Sequence, residues 1–251
     1  MQDFHQAGYC HYDLSPALDM LNYRDAWVEL KNAFNDLPRD PYASQGVLRQ
    51  RRYGCGFYKA YLNELDWMKS SLGSEVIYDQ GEYNPEHRNQ ARRFPSIPRE
   101  ILRNPVLKLL IDNDFHRTHF AREFDSLYRV GVHLVRLVVD PQHPVATVSP
   151  DCLHRDGEPY TFAHLVHRES VVGGENYIAA ADAAGRDPET LSQEEILAKF
   201  VLERELESFG VDDLRVSHAL ADVRLAPSAT RGVRDIVLVD FTPVATVLGQ
   251  H

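Results

Sequence analysis

The chain has 251 residues, 43% of them hydrophobic, and a formal charge of −10; that is enough for one large domain or two small ones, each with a real core. No apolar run approaches the roughly 18 to 20 residues of a membrane-spanning helix, and the acidic balance argues against nucleic acid, whose capture rests on Lys and Arg neutralising phosphates, so a small-molecule partner is expected. Three cysteines, Cys10, Cys55 and Cys152, without CxxC spacing argue against disulfides or a cysteine zinc site; with an N-terminus lacking a secretory pattern, they predict a cytoplasmic protein.

The first predicted element is a helix in "LSPALDMLNYRDAWVELKNAFNDLP". Ser15 is placed to cap it, Pro16 suits the first helical position, and Leu18, Leu21, Trp27, Leu30 and Phe34 fall roughly on one face before Pro38 ends it. An early strand is expected in "VLRQRRYGCGFYKAYLNEL". A polar, proline-bearing loop, "YNPEHRNQARRFPSIPRE", leads to a second helical region near 98–127. From there "SLYRVGVHLVRLVVD" alternates with the β-branched character of a strand, and short strands are expected at 160–167, 175–180, 214–220 and 234–241.

In "LSQEEILAKFVLERELESFG", Ser192 and Glu195 make a capping-box signature for a helix, while the residues from Phe200 onward also alternate, so helix and strand stay open. With no repeat, low-complexity tract or linker, the expectation is a single domain over 1–251, with helices first, to about 127, supporting strands from about 128 to 245.

Chemistry enters at "PDCLHRDGEPYTFAHLVHRESVVGGEN", residues 150–176. His154 and Asp156, one residue apart, project to the same side of an extended backbone. Two imidazoles and one carboxylate on one face suit a redox iron that keeps positions open for co-substrate and oxygen. "DDLRVSHALADVRL" offers His218 as the third ligand; a half-buried strand histidine is its other reading. Arg234, heading the apolar strand in "RGVRDIVLVDF", can aim a bidentate guanidinium at a carboxylate held near the metal, with Arg231 its rival. His164 and His167 read as core or rim residues, and Gly173-Gly174 as a turn needing positive φ.

Four ordered blocks, His154-Arg155-Asp156-Gly157, "HLVHRESVVGGEN", "VDDLRVSH" and "RGVRDIVLVDF", resemble the bacterial Fe(II)- and 2-oxoglutarate-dependent dioxygenases that hydroxylate free amino acids, the L-isoleucine 4-hydroxylase-like group. The resemblance spans roughly residues 45–242 and is sharpest from 150 to 241. It implies a mainly β protein with flanking helices (α+β) around a double-stranded β-helix, the jelly-roll or cupin-like core. It also implies iron on His154, Asp156 and His218, 2-oxoglutarate on Arg234, and O2 as the oxidant. A carboxylate at Asp156, where halogenating relatives carry a small residue, implies hydroxylation, desaturation or cyclisation. The 182–210 segment looks longer and more helical than the family pattern, as a lid over the substrate would.

The substrate implied is a free aliphatic L-amino acid or close derivative. Arg49, Arg51 and Arg52 beside Tyr53, and Arg92 with Arg93, are candidates for its carboxylate, and Glu82 or Glu123 for its ammonium. Arg93, Arg52 and Tyr53 are the substrate residues selected, Arg93 first for its Phe-Pro context; each has a solvated surface charge or ordinary packing as its plain alternative. Two other functions stay open: a β-barrel metallohydrolase or isomerase using the same His/Asp/His set, and a non-catalytic ligand-binding barrel. Monomer and homodimer are equally compatible with the sequence.

Overall fold

A computed structural model describes residues 4–80, 90–122, 126–148 and 150–244. Its strands are β1 (Tyr9–Asp13), β2 (Leu48–Lys59), β3 (Glu64–Trp67), β4 (Glu75–Tyr78), β5 (Arg92–Pro95), β6 (Leu127–Val139), β7 (Val145–Ala146), β8 (Tyr160–Glu169), β9 (Val171–Gly173), β10 (Glu175–Ala180), β11 (Ile196–Val201), β12 (Glu207–Asp212), β13 (Val216–Leu220), β14 (Val223–Leu225) and β15 (Gly232–Pro243). The helices are α1 (Phe4–Ala7), α2 (Ser15–Met20), α3 (Arg24–Asn32), α4 (Arg99–Leu102) and α5 (Pro105–Arg117). None is long and apolar enough to cross a membrane.

One antiparallel sheet has the order β1-β12-β8-β15-β6-β2-β3, and the three-stranded sheets β11-β10-β13 and β7-β14-β9 complete the double-stranded β-helix. Period-two alternation sorts the long strands. Val130, Val132 and Leu134 of β6 and Val237, Val239 and Phe241 of β15 pack with Leu30, Phe34, Leu107, Leu110 and Ile111 under the helices. Each such fully buried side chain contributes about 1.5–3 kcal/mol. The intervening residues, His133, Val135 and Leu137 of β6 and Arg234, Ile236, Leu238 and Asp240 of β15, turn to the opposite face and line a cavity. One strand thus carries a helix-packing face and a functional face.

The helical layer is fastened by polar bonds as well. Asn104 caps α5, its side chain accepting from the Val106 and Leu107 amides, with Pro105 opening the helix. From α5, Asp114 reaches His164 Nε2 at 2.8 Å, and His164 Nδ1 lies 2.9 Å from Ser208 Oγ. Tyr12 OH donates to the other oxygen of Asp114. Asp114, His164 and Ser208 are completely buried, so this Ser-His-Asp arrangement is a dry fastener between α5, β8 and β12. The core role expected for His164 holds, and His167 sits on the half-exposed rim beside Glu169.

Two local expectations need correction. The helix expected over 14–38 is two helices, α2 and α3, separated at Asn22 by a left-handed φ of 54°. Ser15 does not cap; its amide donates to Asp13 Oδ1 instead. The helical lid expected over 182–210 is short 3-10 turns followed by β11 and β12. Ser192 donates its amide and its hydroxyl to the Glu195 carboxylate, the amide bond being one half of a capping box, but Ile196–Val201 pairs with β10, because cross-strand pairing overrides helix propensity there. β12 is an internal strand between β1 and β8. The early strand is β2, paired with β6 along its whole length, so the N-terminal third supplies strands to the main sheet as well as helices. Gly173 and Gly174 have φ of 75° and 73°, the turn their sequence requires.

Candidate active site

His154 and His218 form an isolated antiparallel bridge, each amide donating to the other's carbonyl at 2.9 Å. Their rings lie 4.5 Å apart. Asp156, two residues on, turns back toward both, with Oδ1 3.7 Å from His154 Nε2 and Oδ2 3.4 Å from His218 Nε2. One ligand atom from each of the three residues lies within 4.8 Å of the others, a cluster able to hold a metal ion. His154 Nδ1 sits 2.9 Å from the Cys152 carbonyl; a carbonyl only accepts, so Nδ1 carries the proton and Nε2 turns its lone pair to the cluster.

Burial alone would favour a neutral acid at Asp156, but His218, by charge and hydrogen bond, and then His154 hold its carboxyl well below the usual range. His218 is pulled upward, Asp156 outweighing the burial that opposes it. Two imidazoles and a carboxylate gathered in a half-buried cluster are what a divalent cation draws on when it binds: the imidazoles ligate in their neutral form and the carboxylate keeps its charge. Two imidazoles, one carboxylate and no thiolate make a donor set that fits iron(II).

The cluster opens on a cavity of about 180 Å³ between the large sheet and the smaller ones. Ile236, Leu238, Val135, Ala163, Phe209 and Val211 give it apolar walls, and charged groups line it as well. Arg234 is 5% exposed, and its Nε has no hydrogen-bond partner. Its neighbour Asp235 is taken by a bidentate bond from Arg136, both contacts 2.7 Å. Burial, with Arg168 close by, pushes the Arg234 guanidinium down to about 9. A buried cation lacking a carboxylate partner among the described residues fits the far carboxylate of a dicarboxylic acid.

The other residues singled out in the sequence lie elsewhere. Arg231 is exposed, in a separate surface cleft with Asn35 and Glu169. Arg52 points away from the cavity and donates to the Ser96 and Asp36 carbonyls. Arg93 is exposed on β5. Tyr53 is buried and stacks on His133 without lining the cavity. For Arg52 and Arg93 the physical reason is strand parity: on β2, Arg49 and Arg51 face inward and Arg52 outward, and on β5 Arg92 is buried where Arg93 is not. Glu82 and Glu123 fall outside the described residues.

Sequence reasoning did not single out four groups that do line the cavity: His133, Glu158, Asp240 and Gln80. For His133 and Asp240 a signal existed in the alternation of β6 and β15, once one inward residue on each strand is known.

The model of the 2OG-Fe dioxygenase family matches residues 31–240. This chain belongs to the 2OG-Fe dioxygenases. Its cofactors are Fe(II), 2-oxoglutarate and O2, and the metallohydrolase alternative falls away. This dioxygenase is 30% identical over 213 residues to an L-isoleucine-4-hydroxylase of Bacillus thuringiensis, a match covering 83% of this chain and 80% of that one. It is 26% identical over 239 residues to a 3(1)-hydroxy-L-isoleucine 4-dioxygenase of Pantoea ananatis, covering 92% and 88%. In fold it is similar to the crystal structure of IDO from Bacillus thuringiensis, with a TM-score of 0.73 at 23% identity over 96% of this chain and 92% of that one.

Proposed function

We propose that this dioxygenase oxidises an unactivated C–H bond of a free aliphatic L-amino acid or a close derivative. In this reading His154, Asp156 and His218 hold the iron and Arg234 holds the far carboxylate of 2-oxoglutarate. The observation that carries it is the pairing, in one cavity, of a His/Asp/His cluster with a buried guanidinium that has no anionic partner among the described residues. The two relatives act, by their names, on isoleucine and a hydroxylated isoleucine, which supports the substrate class. A cavity of about 180 Å³ with aliphatic walls supports a small apolar side chain.

Iron with 2-oxoglutarate supplies oxygen activation, ending in succinate, carbon dioxide and an oxidised substrate. The chain's own contributions are positional. The backbone bridge sets the two imidazoles side by side, and Cys152 fixes the tautomer of His154. Arg234, held beside Arg168, offers a fixed positive charge at the cavity wall, and the apolar residues exclude water and orient the C–H bond. Two buried cysteines outside any disulfide, Cys10 and Cys55, support a reducing compartment such as the cytoplasm.

Substrate-dependent succinate release, screened over the proteinogenic aliphatic amino acids with product mass read alongside, tests the reading. A gain of one oxygen on one of them is expected. Release that none of them stimulates would contradict the substrate class.

A further inference from the structure

Of the buried guanidiniums on the main sheet, Arg49 of β2 has Asp40 at 2.6 Å and Arg136 of β6 has Asp235, while Arg234 of β15 has no carboxylate among the described residues. Arg51 of β2 and Arg92 of the separate β4-β5 sheet are unmatched as well. They are 8% and 4% exposed, both line the cavity, and no carboxylate pairs with either among the described residues. They flank the same two rings, Arg51 lying 4.4 Å from the centre of Phe94 and Arg92 5.0 Å from that of Tyr78, contacts that hold guanidinium planes without neutralising them.

What hydrogen bonds they do make lead toward the candidate metal centre. Arg92 donates to the amide oxygen of Gln80, whose Nε2 faces the carbonyl and Oδ1 of Asp156 at 3.3 and 3.5 Å. Arg51 donates to His133 Nδ1 at 2.8 and 3.2 Å. Burial and the facing arginines keep His133 neutral, so it offers no counter-charge.

On the far side of the same imidazole the sign reverses. Asp240 Oδ2 is 3.7 Å from His133 Nε2. Asp240 Oδ1 and Glu158 Oε2 are buried with no hydrogen-bond partner, and both residues line the cavity. Room for the Asp240 carboxylate exists only because its cross-strand partner is Gly131; a Cβ there would fall within the carboxylate's own volume. Two cations without a carboxylate among the described residues, facing two acids that share Arg129, 3.8 Å from Glu158 Oε1, and keep one oxygen each without a hydrogen bond, form a receptor for a small zwitterion. A simple anion would satisfy the arginines and be repelled by the acids.

We propose, resting on the amino-acid substrate above, that Arg51 and Arg92 receive the substrate's α-carboxylate and that Asp240 with Glu158 receives its α-ammonium. This directs the side chain toward the apolar wall and makes the free α-amino acid, with both termini unblocked, the required form. Neither a peptide-bound residue nor a bare carboxylic acid meets both halves of the receptor.

The test is anaerobic binding to the Fe(II)- and 2-oxoglutarate-loaded protein, by titration calorimetry and by the shift of the chelate's visible absorption. The probes are L-isoleucine, L-isoleucinamide and N-acetyl-L-isoleucine, with the other aliphatic amino acids alongside. Wild type is expected to bind the free amino acid about a hundredfold more tightly than either blocked form. Arg51→Gln and Arg92→Gln should each weaken the free amino acid about a hundredfold while leaving the amide unchanged. Asp240→Asn should weaken the free amino acid while leaving the N-acetyl form unchanged. An intact chelate band certifies each variant; where Gln removes it, Lys at the same position keeps the charge, loses the two-pronged geometry and should still cost about tenfold. Tight wild-type binding that these variants do not alter would overturn the receptor while sparing the substrate class. Binding of no amino acid by loaded wild type would overturn the substrate class and the receptor with it.

Discussion

His154 and His218 are hydrogen-bonded to each other through both backbone amides although 64 positions separate them in the chain. The bridge belongs to neither long strand ladder, and its effect is to lock two imidazoles beside Asp156. Replacing His154 or Asp156 by Ala is therefore expected to abolish stoichiometric iron binding and turnover with little change in fold. Metal analysis after anaerobic loading measures it; a variant retaining one iron per chain would remove these residues from the ligand set.

Arg234→Ala is expected to leave iron binding intact and to raise the 2-oxoglutarate requirement by at least about thirtyfold, since truncating one partner of a buried charge pair costs about 2–5 kcal/mol. Arg231→Ala, in its separate cleft, should behave as wild type. Saturation curves for the co-substrate decide between them, and the reverse pattern would move the role to Arg231.

The dry Asp114–His164–Ser208 chain should matter for stability and not for chemistry. His164→Ala leaves a buried carboxylate without its main partner and is expected to cost about 3–5 kcal/mol, roughly a 10 °C drop in Tm for a chain of this size. Ser208→Ala should cost about 1 kcal/mol and keep wild-type turnover. A turnover loss in folded Ser208→Ala protein would give the chain a catalytic part.

Asp240 supplies a pH signature. Burial pushes its carboxyl up to about 6 from an ordinary 3.8; Arg129 opposes the rise and Asp156 adds to it. The native state thus holds this proton more tightly than the unfolded chain does. The resulting stability is complete below the unfolded value of 3.8 and is lost as pH rises through about 6. Metal-free wild type should lose, between pH 4 and 7, on the order of 3 kcal/mol more than Asp240→Asn. Urea unfolding at both pH values measures it, and parallel losses would contradict it.

Much of this was legible in the sequence, because period-two runs such as "SLYRVGVHLVRLVVD" favour long strands, and because the one-residue spacing of His154 and Asp156 and the β-type run around His218 are visible locally. Strand parity was not legible. In Arg49-Gln50-Arg51-Arg52 either alternate set could face inward, since both faces of β2 are covered; only pairing with β6, Arg51 opposite Val135, decides it. The same ambiguity separated Arg92 from Arg93. At Ser192–Val201 the local signal was real, as the bond from the Ser192 amide to Glu195 shows, yet pairing with a strand already in place outweighed it. His133 and Asp240 stayed hidden because their roles depend on each other and on Gly131, contacts between distant strands.

The central claim is an iron site on His154, Asp156 and His218 in reach of 2-oxoglutarate. Its most direct measurement is anaerobic reconstitution with Fe(II), followed by addition of 2-oxoglutarate while the visible metal-to-ligand charge-transfer absorption of the chelate is recorded. The band is expected in wild type and absent in folded His218→Ala protein. Well-folded, iron-loaded wild type that gives no band, or a His218→Ala variant that keeps it, would contradict the site.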